Sequence, residues 1–166
     1  MTNLTNETFY NLSAKTIDGK EYNFSQLKDK VVLIVNTASK CGFTPQYHEL
    51  EKLHKELHSE GLVILGFPCG QFNNQELANE TDIAQFYSLN YDVTFQMMAK
   101  IDVNGSNTHP VFEFLKNRAT GIFGSKNIKW NFTKFLINRN AKTIVRYAPL
   151  VKPLSLEIGI KSLLEE

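Results

Sequence analysis

The chain has 166 residues, 42% of them hydrophobic and 21% charged, with a formal net charge of +1. Such a chain can bury a real core, and its charge balance excludes a polybasic nucleic-acid or membrane-surface binder. No apolar run approaches the roughly 18 residues needed to cross a bilayer, and Met1-Thr2-Asn3-Leu4 lacks both regions of a signal peptide, so a cytoplasmic protein without membrane insertion is expected.

No repeat, low-complexity block or linker divides the sequence, and one domain over residues 1–166 is expected. Residues Phe9 to Ile17 and Glu21 to Phe24 flank Asp18-Gly19, a favoured turn pair, so the chain should open with a β-hairpin. Val31 to Val35 is a continuous aliphatic run and predicts a strand buried on both faces. Thr44-Pro45 reads as N-cap and first helical residue. Leu50, Leu53 and Leu57 recur at helical spacing, so a helix is predicted from Pro45 to His58, ended by Gly61. Leu62 to Phe67 is a second buried strand, and the strand–helix–strand unit requires a parallel, right-handed crossover.

A second helix fits Thr81 to Leu89, capped by Asn79 or Thr81, and a third fits Pro110 to Asn117. Phe132 to Asn138 and Thr143 to Tyr147 read as two antiparallel strands. Residues Pro153 to Leu164 form the last amphipathic helix. This order predicts an α/β protein of thioredoxin-like fold, with a central mixed β-sheet, helices on both faces and an N-terminal β-hairpin.

The two cysteines do not make a disulfide scaffold. Cys41 lies just past the first core strand and before a helix N-terminus, where free N–H groups and the helix dipole favour an anion. Lys40 adds a cation, and Gly42 permits close backbone approach. The readings of Cys41 are a reactive thiolate or a structural thiol, and its position favours the first. A redox dithiol would read C-x-x-C, but the fourth position is Thr44. That disfavours a general disulfide exchanger and favours chemistry that a single thiolate can start, such as attack on a peroxide O–O bond. Cys69 follows a strand and Pro68. It is either a buried structural thiol or a partner that swings toward Cys41, and the structural reading is favoured.

Three segments carry a resemblance. Asn36-Thr37-Ala38-Ser39-Lys40-Cys41-Gly42-Phe43-Thr44-Pro45-Gln46-Tyr47 resembles the peroxidatic segment of the glutathione peroxidase family. Gly66-Phe67-Pro68-Cys69-Gly70-Gln71-Phe72-Asn73-Asn74-Gln75-Glu76 resembles its second signature, and Lys129-Trp130-Asn131-Phe132-Thr133-Lys134-Phe135-Leu136 its third. The similarity runs from about Phe9 to Leu163. It implies a catalytic tetrad of Cys41, Gln75, Trp130 and Asn131, in which Cys41 attacks the hydroperoxide and three neutral donors stabilise the thiolate and the departing oxygen. Taken singly, each donor has a plainer reading: Trp130 as core, Asn131 as a strand start, Gln75 as a solvated loop amide.

The sequence departs from the family pattern in several places. Gly70 stands where Asn is common, Leu77-Ala78 where Pro-Gly is common, and Gln96 where Pro is frequent. Tyr87 occupies the position of the resolving cysteine in many members that use thioredoxin. The resemblance therefore implies a cofactor-free thiol peroxidase acting on hydrogen peroxide and organic or lipid hydroperoxides. Its sulfenic acid would be reduced by an external thiol, glutathione first and thioredoxin second. The short connection from Arg118 to Lys129 resembles compact members and implies a monomer. Two alternatives stay open: a redox relay to a protein partner, and a thiol–disulfide oxidoreductase.

Other signals are weak. Asp102, Asn104, Ser106 and Glu113 match part of a calcium loop, but Asn107 holds the glycine position and Pro110 interrupts it. His54 and His58 share a helix face without the zinc-protease pattern. No metal is expected.

Overall fold

In the computed structural model, which describes residues 9–166, the hairpin turn forms at Asp18-Gly19; Met1–Leu4 lies outside the described residues. Gly19 takes a φ of 87°, and β1 (Ser13–Lys15) pairs antiparallel with β2 (Glu21–Asn23), Ala14 opposite Tyr22. The strands are shorter than the apolar pattern suggests. Phe24 leaves the hairpin for a 3-10 turn, Phe24–Leu27, that buries Phe24 and Leu27.

β3 (Val31–Thr37) and β4 (Leu62–Pro68) lie parallel, from Val31 opposite Leu62 to Thr37 opposite Pro68. The crossover helix α1 (Gln46–Leu57) buries Leu50, Leu53 and Leu57. Its start differs from the expected cap. Pro45 precedes the helix and no side chain caps it, because Thr44 is committed elsewhere, as described below. A 3-10 turn, His58–Glu60, follows, and Gly61 ends it at a φ of 115°.

Asn79 caps α2 (Glu80–Tyr91) by accepting the Asp82 N–H at 3.0 Å. A strand that the sequence pattern did not predict, β5 (Gln96–Met97), pairs parallel with β4. In α3 (Pro110–Arg118), Pro110 is in the first turn and His109 Nδ1 accepts the Val111 N–H at 3.1 Å. β6 (Lys134–Ile137) and β7 (Ile144–Tyr147) are antiparallel. The chain's last helical stretch begins as a 3-10 turn, Pro153–Leu156, before α4 (Glu157–Leu164).

The main sheet has the order β5-β4-β3-β6-β7. Alternate residues along a strand face opposite sides, and this divides the core. Val32, Ile34, Leu65 and Phe67 pack with Val111, Phe112 and Leu115 of α3 and with the hairpin side. Leu33, Val35 and Ile64 pack with Leu50 of α1, Ile83 of α2 and Ile160 of α4. Helices therefore cover both faces of a mixed sheet, the expected thioredoxin-like layout.

Gly66 shows how tightly β5 is seated. It pairs with Met97, and a Cβ there would stand 2.5 Å from Met97 Sδ and 3.2 Å from Phe95 Cε2. Both side chains are buried, so neither has space to retreat. We expect Gly66→Ala to destabilise the fold by about 1–3 kcal/mol, read as a lower midpoint of urea unfolding; an unchanged midpoint would show that β5 yields freely.

Candidate active site

The loop after β3 is stitched around Thr44. Its hydroxyl accepts the Cys41 N–H at 3.0 Å and donates to the Ala38 carbonyl at 2.9 Å, while the Thr44 N–H donates to the Cys41 carbonyl at 3.0 Å. This threefold use of Thr44 holds the thiol loop in one shape and explains why the residue does not cap α1. Cys41 retains 8% exposure, and its Sγ accepts the Phe43 N–H at 3.4 Å.

Gln75 arrives on the loop after β4, where Asn73 and Asn74 both take left-handed φ angles of 54° and 52°. Asn tolerates that region better than most residues, which lets the chain turn sharply before Gln75. The Lys40 N–H donates to the Gln75 carbonyl at 2.8 Å, so the two loops meet backbone to backbone beside Cys41. The Gln75 side chain is held as well, because its Oε1 accepts Asn131 Nδ2 at 2.9 Å. Two of the three donors expected from the sequence are thus joined directly, although they are far apart in the chain.

Asn131 does not start a strand, since β6 begins at Lys134. It is fully buried and precedes Phe132, which takes a left-handed φ of 63°. Trp130 is half-buried and packs against both hydrophobic layers, with Phe72 at 5.7 Å between ring centroids. It therefore packs as the plainer core reading expects, while preceding Asn131 in the chain.

One organiser of the site is not evident from residue type or spacing. Asn36, at the end of β3, is fully buried. Its Nδ2 donates to the Trp130 carbonyl at 3.1 Å and its Oδ1 accepts the Thr133 N–H at 3.1 Å. The Phe132 N–H donates to the Asn36 carbonyl at 2.7 Å. One side chain thereby fastens the Trp130–Thr133 stretch to the strand that leads into the thiol loop.

Cys69 is placed differently. It is fully buried in the layer with α3, whereas Cys41 packs in the opposite layer with α1. Its Sγ donates to Gln71 Oε1 at 3.5 Å, and burial pushes its thiol above the usual range. Tyr87, at the position of the resolving cysteine in the resembled pattern, is buried against Tyr47, with ring centroids 6.5 Å apart. Both cysteines are free thiols. Among the described residues, no cluster of three or more His, Cys, Asp or Glu side chains could hold a metal, and no helix is long and apolar enough to cross a membrane.

A free thiol at the C-terminal edge of a thioredoxin-like sheet, with amide donors gathered at the same edge, defines a thiol-dependent oxidoreductase. The sequence model of the family described as glutathione peroxidase matches residues 9–116. The chain is 54% identical over 159 residues to glutathione peroxidase-like peroxiredoxin 2 of Saccharomyces cerevisiae, covering 96% of this chain and 98% of the relative. It is 53% identical over 156 residues to a glutathione peroxidase of Lactococcus lactis, covering 94% and 99%. The crystal structure of T. cruzi GPX1 is similar at a TM-score of 0.77 and 37% identity, covering 95% of this chain and 96% of that one. The chain belongs to the glutathione peroxidase family, and it is a thiol peroxidase.

Beyond the donors, one buried cation adjoins the site. Lys134 is fully buried and its Nζ donates to the Pro149 carbonyl at 2.9 Å, an acceptor it shares with Gln46 Nε2 at 2.8 Å. Burial pushes its ammonium down to about 7, with Glu49 acting in the opposite sense. An unfolded lysine releases its proton near about 10.4. The unfolded chain therefore binds more protons between these values, and stability rises with pH across that window. The cost of the buried charge is absent above the unfolded value and complete once the pH has fallen through the folded one.

Two outcomes follow from this geometry. Lys134→Met is expected to flatten the rise of stability between about pH 7 and 10 and to be more stable than the parent near pH 6; an unchanged slope in urea melts across that range would remove the charge from the account. Asn36→Ala leaves the Thr133 N–H bare in the interior, at a cost of about 1–3 kcal/mol, and should move the emission of Trp130 to longer wavelength. Parental stability and emission would mean that the stretch is held by other contacts.

Proposed function

We propose that this chain is a single-domain, monomeric, cytoplasmic peroxidase that reduces hydrogen peroxide and organic, including lipid, hydroperoxides, with Cys41 as the attacking thiol and Gln75, Trp130 and Asn131 as the stabilising donors. The observation that carries the reading is the meeting of the three signature segments at one sheet edge. Lys40 N–H reaches the Gln75 carbonyl at 2.8 Å, and Asn131 Nδ2 reaches Gln75 Oε1 at 2.9 Å.

In the first step the Cys41 thiolate attacks one peroxide oxygen. An S–O bond forms, the O–O bond breaks, and the electron pair leaves with the second oxygen, which takes up a proton and departs as water or an alcohol. Neutral amide and indole donors suit this step, because they stabilise the sulfur anion and the departing oxygen without competing for the proton. The Gln75–Asn131 bond occupies the Gln75 carbonyl oxygen and so fixes which way its N–H2 group points.

The sulfenic acid is then reduced in two exchanges with an external thiol: a mixed disulfide with loss of water, then release of Cys41 by a second thiol. Tyr87 in place of a resolving cysteine, and Cys69 in the other hydrophobic layer, favour a small thiol such as glutathione over thioredoxin. A pocket of about 300 Å³ beside the thiol loop, lined by Gly42, Phe43, Pro45, Glu49 and Lys152, offers both charges to a zwitterionic thiol. A more apolar pocket of about 460 Å³, lined by Ile122, Lys129, Thr133 and Pro149, adjoins the Trp130 stretch and suits the apolar tail of an organic hydroperoxide.

The test is intact mass after one equivalent of hydrogen peroxide, with steady-state turnover alongside. Cys41→Ser should abolish turnover, whereas Cys69→Ser should keep it within about twofold, and the parent should gain one trappable oxygen at Cys41. Loss of two hydrogens with a mapped Cys41–Cys69 bridge would replace the small thiol by thioredoxin. Fast oxidation without turnover by any reductant would favour a relay, and insulin reduction would favour a disulfide oxidoreductase.

A further inference from the structure

Two bonds join the thiol loop to the Gln75 loop, and only one of them is backbone to backbone. Ser39, two residues before Cys41, donates its hydroxyl to Oε1 of Glu76, the residue after Gln75, at 2.5 Å. Both side chains are buried. The same oxygen accepts the Leu77 N–H at 2.8 Å. The other carboxyl oxygen, Oε2, is buried with no partner among the described residues, and so are Thr37 Oγ1 and Tyr47 Oη. Tyr47 lies close enough to Thr37 and Glu76 for both to bear on its ionisation.

We infer that Glu76 is a positioning residue for peroxide reduction: through Ser39 it sets the Gln75 loop against the Cys41 loop, and it does so as a protonated carboxyl, because its second oxygen is buried with no donor on it. The inference rests on Cys41 and Gln75 having the roles proposed above. Protonation completes the local arrangement. The carbonyl oxygen serves Ser39 and Leu77, and the unpartnered Oε2 carries a proton rather than a charge. An ionised carboxyl would instead leave an uncompensated charge on a buried oxygen.

Besides Ser39 and Leu77, two groups lie near Glu76. Tyr47 faces it from α1, with Tyr87 and Tyr91 of α2 packed on that ring. Lys100, after β5, donates to the Leu77 carbonyl at 2.9 Å. Burial raises the Glu76 carboxyl above the usual carboxylate range, while Ser39, the Leu77 N–H and Lys100 act against that rise.

The experiment is single-turnover oxidation of Cys41 by hydrogen peroxide in the full-length chain, with reduction of the preformed sulfenic acid by glutathione measured separately. Ser39→Ala and Glu76→Ala should slow oxidation by about tenfold or more, since a misplaced supporting loop costs the reacting geometry, and should leave the reduction step within about twofold. Glu76→Gln keeps the Oε1 acceptor and is neutral at every pH. It should oxidise at the parental rate near neutral pH, and the parent should fall behind it as the pH rises.

Parental oxidation rates in Ser39→Ala and Glu76→Ala would overturn the inference, as would an equal fall in both half-reactions, the mark of general loosening. A Glu76→Gln as slow as Glu76→Ala, or a ratio flat with pH, would overturn the protonated form. Ser39→Ala removes one hydroxyl and carries the test if Glu76→Ala fails to fold. Turnover by Cys41→Ser, run in parallel, would sink the functional reading instead.

Discussion

Val31 pairs with Leu62 and Thr37 with Pro68, so β3 and β4 run parallel in register and stop together. In a parallel pair the carboxyl ends share one edge, and whatever follows the strands is delivered to the same place. Here the loop after β3 carries Cys41 and the loop after β4 carries Gln75. Asn36, the residue before the last pair in that register, also fastens the Trp130–Thr133 stretch through both ends of its amide. A slip of one residue would turn Asn36 to the other face of the sheet and detach the third segment. The site depends on that register more than on any one contact inside it.

The loops are held by bonds of two kinds. Lys40 to Gln75 is a main-chain bond and is indifferent to side-chain chemistry. Thr44, Asn36 and Glu76 act through side chains, each making two or more bonds to groups in or near the interior. Small polar residues placed this way stabilise mainly by preventing a loss. Removing one strands its partner in a dry environment, at a cost larger than the bond's own net worth.

Much of this was legible in the sequence. The aliphatic runs at Val31 and Leu62, the Leu50/Leu53/Leu57 stripe and the Asp18-Gly19 turn are local patterns, and each gave its element. The residues of the candidate site stood out because they lie in three long segments resembling one family. What escaped reading was tertiary. β5 is two residues long, and Gln96-Met97 becomes a strand only because Gly66 lets it approach. Thr44-Pro45 has the composition of a helix start, but the Thr44 hydroxyl is claimed by Cys41 and Ala38. The bond between Ser39 and Glu76 spans 37 positions, and no periodicity announces it.

Cys41 and Cys69 are the chain's two thiols, and the sheet lies between the layers in which they pack. On the proposed mechanism, an oxidising equivalent taken up at Cys41 therefore meets no second thiol on its own side. In a protein with an internal partner, the lifetime of the oxidised form is a constant of the molecule. On the proposed mechanism it is here a second-order quantity, inversely proportional to the concentration of whatever thiol diffuses in. How long the protein stays oxidised would then report the supply of reductant around it.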